Sequence, residues 1–122
     1  MQPRIQALFS ICIDDLDSYS PPDPVDFNVS IRLIAGPDDQ EGEESFDFNV
    51  CSPAHLAVLA QGGTPFLLRH IILADRFDFP AIRAFVERYV RSCSGENWLE
   101  VGEKLSRLGH WEFEDYKPGG TS

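Results

Sequence analysis

Basic side chains are scarce in the first part of this chain. Of its 122 residues, those up to Ser52 include two bases, Arg4 and Arg32, against eleven acids. A surface of that sign repels nucleic-acid phosphates and anionic lipid, so neither is expected as a partner. Cysteine is also sparse. Cys12, Cys51 and Cys93 are odd in number, far apart, and lack both a C-x-x-C pair and a histidine at ligand spacing, which argues against a disulfide framework or a zinc site. Each sits in an apolar pattern and is expected as a core thiol in a reducing compartment. Long hydrophobic runs are missing too. The N-terminal apolar stretch is interrupted by Gln6 and Ser10 and has no basic segment before it, unlike a secretory leader, and nothing approaches the ~20 apolar residues of a membrane span. A cytoplasmic protein is expected. No phosphate-binding loop, dinucleotide fingerprint, zinc-protease helix, calcium loop or nucleophile elbow occurs. Neither catalysis nor a cofactor is expected.

Apolar alternation is plentiful. Arg4 to Ile13 places Ile5, Ala7, Phe9, Ile11 and Ile13 on one side of a strand. Three prolines and five acids then make residues 14–26 a long acidic loop. Two further alternating runs, Phe27 to Ala35 and Ser45 to Cys51, flank a turn-rich acidic segment and predict an antiparallel hairpin. Ser52 before Pro53 is a helix start, and Gly62 and Gly63 close that short helix. Pro65 to Ala74 is nearly continuous in apolar residues, which predicts a central strand buried on both faces. Asp78 caps an amphipathic helix with Ile82, Phe85, Val86, Tyr89, Val90 and Cys93 on one stripe. Asn97 with Glu100 opens another that carries Trp98, Val101, Leu105 and Leu108. The expected fold is α+β: a mostly antiparallel sheet of four to five strands with three helices packed on one face. Residues 1–116 form a single domain and 117–122 a flexible tail.

The acids come in bursts: Asp14, Asp15 and Asp17; Asp23 and Asp26; Asp38, Asp39, Glu41, Glu43 and Glu44; then Glu112, Glu114 and Asp115 among the aromatics of WEFEDY. Such clusters steer a basic protein at raised association rates, and these residues are the candidate binding surface. Solvated loops that confer solubility are the plain alternative. Two other readings stay open. One is a small-molecule or metal-dependent enzyme whose carboxylates do the chemistry; Asp14, Asp15 and Asp17 could hold a hard cation, although carboxylates on a single loop without a fixed frame bind such ions weakly. The other is a homodimeric module with WEFEDY as its edge.

Taken in order, Gly42 to Pro53 (GEESFDFNVCSP) with Leu56, Arg69-His70, Arg76-Phe77-Asp78, Trp98 with Val101, Lys104, Leu105, Ser106 and Arg107, and Trp111 to Tyr116 (WEFEDY) resemble the immunity protein 8 family of bacterial polymorphic toxin systems. The chain has His55 where the family pattern carries Trp before the helix Leu, and Leu68 where it carries Gly before Arg-His. The resemblance implies a non-enzymatic inhibitor that binds and neutralises a cognate toxin domain, nucleases being common among such toxins. It leaves the oligomeric state open.

Overall fold

The structure, a computed structural model, describes residues 1–112. Five strands and three helices follow one another as β1 (Pro3–Phe9), β2 (Asn28–Pro37), β3 (Glu44–Cys51), α1 (Pro53–Ala60), β4 (Ile71–Leu73), α2 (Phe79–Arg91), α3 (Trp98–Leu105) and β5 (His110–Trp111). The strands make one sheet in the order β1-β2-β3-β4, with β5 also on β3. The β1–β2, β2–β3 and β3–β5 pairs are antiparallel and β3–β4 is parallel. This is the expected α+β class with a mostly antiparallel sheet.

The β2–β3 hairpin is the frame. Val29 pairs with Val50, Ile31 with Phe48 and Leu33 with Phe46, and all six are buried. Period-two alternation puts them on one face, where α2 adds Phe79, Ile82, Val86 and Val90, and α3 adds Val101 and Leu105. The opposite face is polar. There Arg32 grips Asp47 through two hydrogen bonds of 2.7 and 2.8 Å, and the Asn49 side chain donates to Asn28 at 2.7 Å. The capping signals act as expected: Ser52 accepts from the His55 amide, Asp78 from Ala81 and Asn97 from Glu100.

Three expectations need correction. β1 does not keep strict alternation to Ile13. Its register slips between Ile5 and Ala7, so Ile5 and Leu8, three residues apart, both pack on the core, whereas Phe9 and Ile11 are exposed. A bulge reverses the phase of the strand residues after it, here up to Phe9 where β1 ends; Ile11 lies beyond the strand, and Ile13 does pack on the core. The apolar run from Pro65 is not a central strand either. Residues 61–69 are exposed and the strand shrinks to Ile71–Leu73, because β5 occupies the part of β3's edge beside Phe46 and Asp47 and leaves only Asn49 to Cys51 for β4. Cys12 is exposed rather than in the core, while burial pushes the Cys51 and Cys93 thiols up from their ordinary range. On α2, Phe85 lies off the buried stripe at 41 % exposure, and α1 has no buried residue at all.

Gly102 is where α3 meets the sheet. A Cβ there would lie 2.5 Å from Cη2 of the buried Trp111 ring. Alanine is otherwise the better helix former by about 1 kcal/mol, so the two effects oppose each other. Overpacking a rigid ring costs roughly 1–3 kcal/mol and should win. Gly102→Ala is therefore expected to lower the thermal midpoint, and a raised midpoint would show that Trp111 yields freely.

Candidate functional site

Nine of the candidate binding acids fall into two separate groups. β2 runs from Asn28, beside the first loop, to Pro37, beside the hairpin tip. At about 3.3 Å per residue its ten residues hold the groups roughly 30 Å apart along the strand. Asp14, Asp15, Asp17, Asp23 and Asp26 lie at one end, and Asp38, Asp39, Glu41 and Glu43 at the other, all exposed. Glu112 is exposed after β5, while Glu114, Asp115 and the aromatics Phe113 and Tyr116 lie outside the described residues, as does the tail 117–122.

Within each group the carboxylates differ in task. Asp15 accepts the Asp17 amide at 3.0 Å and the Ser18 hydroxyl at 2.9 Å, and Asp23 accepts the Val25 amide at 3.0 Å. These two shape the acidic loop as local turns. Leu16 is buried beneath the loop, and Tyr19 meets the Phe77 ring edge-on at 5.4 Å. The loop is thus tied to the segment before α2. At the far end Asp38 accepts the Gln2 amide at 3.2 Å, and the Gly42 carbonyl accepts from the Gln6 side chain at 3.0 Å, pinning the tip to β1. Among the described residues, Asp14, Asp17, Asp26, Asp39, Glu41 and Glu43 form no ion pair and no side-chain hydrogen bond.

Glu44 stands apart from its neighbours. It is half-buried, and one of its oxygens accepts the indole N–H of Trp98 at 2.9 Å and that of Trp111 at 2.6 Å. The burst pattern in the sequence groups it with the tip, but the fold uses it to join β3 to α3 and β5. Trp98 is correspondingly half-buried at the edge of the core rather than within it. A carboxylate with apolar residues following, plus two distant tryptophans needing acceptors, is the only signal the sequence holds for this.

A second feature escaped sequence reasoning. A groove of about 630 Å³ runs between residues 68–74 and α2. Ile82, Phe85 and Tyr89 form its apolar side, and among the described residues Arg76, Arg88 and Arg107 line it with a single acid, Asp78. Leu68 and Leu73, at 52 % and 59 % exposure, stand at its rim. Reading residues 65–74 as a buried strand hid this surface, since exposed leucines look the same as core ones in sequence.

The two histidines of this region do not assemble a catalytic centre. His70 adopts a left-handed backbone (φ 59°) at the entry to β4 and is held by a 2.8 Å bond between its Nε2 and the Ser106 carbonyl. Its ring centroid lies 6.0 Å from that of His110. The nearby Asp47 is engaged by Arg32, and their hydrogen bonds raise the Arg32 pKa further. No described Asp, Glu, His and Cys residues gather into a metal-binding group.

Charge is exposed at two ends of the sheet, whereas Glu44 and Asp47 within it are already engaged. The immunity protein 8 family model matches residues 4–116, and the chain belongs to that family. Immunity proteins of this family are non-enzymatic toxin inhibitors. No curated protein and no solved structure matches the chain. Among the described residues no helix is long and apolar enough to cross a membrane.

The different tasks of Glu43 and Glu44 can be measured directly. Glu44→Ala removes an acceptor shared by two indoles and should cost about 2–3 kcal/mol in denaturant unfolding. Glu43→Ala, one residue away and exposed, should stay within about 0.5 kcal/mol of wild type. Equal losses for the two would contradict the assignment.

Proposed function

We propose that this protein neutralises its cognate toxin domain by presenting the exposed acids at the two ends of its hairpin to a basic surface on that domain, of the kind that handles nucleic acid. The toxin is made by the same cell or its kin, and the encounter takes place in the cytoplasm. The observation that carries this reading is the exposure of the unpaired acids in a chain of net charge −10 that belongs to an immunity family. Opposite potentials accelerate encounter and suppress wrong partners, and an acidic cover can occupy the site where a basic toxin holds phosphates. Asp38, Asp39, Glu41 and Glu43 are the acids to test, because all four are exposed, an asparagine at 38 still accepts the Gln2 amide, and the set spares the structural role of Glu44.

Asp38→Asn, Asp39→Asn, Glu41→Gln and Glu43→Gln combined should leave the thermal midpoint within a few degrees and slow association with the purified toxin domain about tenfold at low salt, the wild-type rate falling towards the variant's as salt is added. The reading fails if the variant binds as fast as wild type and neither rate responds to salt.

A further inference from the structure

Among the described residues β4 is the outermost strand of its part of the sheet, and only one of its edges is used. The Asn49 amide bonds to the His70 carbonyl and the Ala74 amide to the Cys51 carbonyl, both at 3.0 Å. In a parallel ladder of that register, the peptide groups of residues 70, 72 and 74 turn towards β3. Those of Ile71 and Leu73 turn the other way, along the open edge. Free edges are normally blunted by shortness, charge, proline or a covering loop, because a bare one accepts another strand. In its own residues, Ile71–Leu73, this edge has only its shortness, with neither charge nor proline.

The groove beside it supplies a second, independent observation. Residues 70–74 line it continuously, so it follows the strand rather than crossing it. Its charges oppose those of the molecule: Arg76, Arg88 and Arg107 against Asp78, in a chain of net charge −10. Asp78 is already spent on the Ala81 amide, and none of the three arginines has an ion-pair partner among the described residues. Three arginines along an apolar trough beside an unpaired strand edge fit a segment that is extended, apolar on one side and acidic between.

We propose that the open edge of β4 receives an extended, acid-bearing apolar segment of the toxin as an added strand, its acids meeting Arg76, Arg88 and Arg107 and its apolar side chains covering Phe85 and Leu73. The proposal rests on the toxin-binding function and names the surface that holds the complex once the acidic ends have guided it. Main-chain hydrogen bonds would supply affinity and the groove specificity. A second copy paired edge to edge through β4 is a poorer occupant, because two such arginine-lined edges would repel each other, and a second copy entering by its WEFEDY segment is an outcome the test separates.

The test uses the whole chain and its purified cognate toxin domain. Phe85→Asp and Arg88→Glu are both changes at exposed positions, and each should weaken binding at least tenfold, chiefly through faster dissociation. Arg91→Glu, an equal change of charge on the same helix but outside the groove, should bind within about threefold of wild type. Hydrogen exchange of the complex should show new protection at the Ile71 and Leu73 amides, which a mere neighbouring contact would not give. If the wild-type chain fails to bind the toxin domain, the functional reading itself falls. If wild type binds but the groove variants bind equally well and the two amides stay unprotected, only this inference falls. Loss of self-association in the groove variants with toxin binding intact would assign the edge to a second copy and overturn it too.

Discussion

One carboxylate, that of Glu44, holds the two halves of the molecule together. It sits at the first residue of β3, and through a single oxygen it reaches Trp98 at the start of α3 and Trp111 in β5, residues 54 and 67 positions further along the chain. A charged acceptor in a partly buried site gives stronger hydrogen bonds than a neutral one. It also fixes both rings, since an indole N–H enclosed without an acceptor is costly. With Trp111 set, its ring fills the space over Gly102, and β5 is anchored beside Phe46. The packing of α3 on the sheet follows from that.

Anchoring β5 has a further result on the other side of the molecule. It occupies part of β3's outer edge, so β4 can pair only with Asn49 to Cys51 and remains three residues long. The apolar residues before it cannot join the sheet and stay at the surface, Leu67 at 80 % exposure. The open edge and the arginine-lined groove are thus consequences of the same arrangement that buries Trp111. Stability sits in the hairpin, α2 and α3. Exposed positions lie in the loops, the tip and the β4 edge, where substitutions are cheap.

Much of this was legible beforehand. Alternation located the β2–β3 hairpin nearly to the residue, and Ser52, Asp78 and Asn97 marked the three helix starts because each offers a side-chain acceptor where backbone donors lack one. The readings that missed did so for identifiable reasons. A bulge near Gln6 has no sequence mark, and it put Phe9 on the wrong face, while the early end of the strand left Ile11 outside it. The run from Pro65 carries the composition of a buried strand, and only the competing claim of β5 on the same edge keeps it out. Glu44 has the charge and position of a tip acid; that it serves the core depends on two residues more than fifty positions away. The acidic bursts were visible as such, but that they sit at opposite ends of a strand is a property of the register.

The most direct test of the Glu44 tie is to compare the two indole N–H resonances, and their exchange with solvent, in isotope-labelled wild-type protein and Glu44→Ala under one set of conditions. A single carboxylate shared by both rings predicts that the Trp98 and Trp111 signals both shift and both exchange faster in the variant, while Glu43→Ala leaves them in place. A Glu44→Ala spectrum in which either indole signal keeps its position and its protection would contradict it.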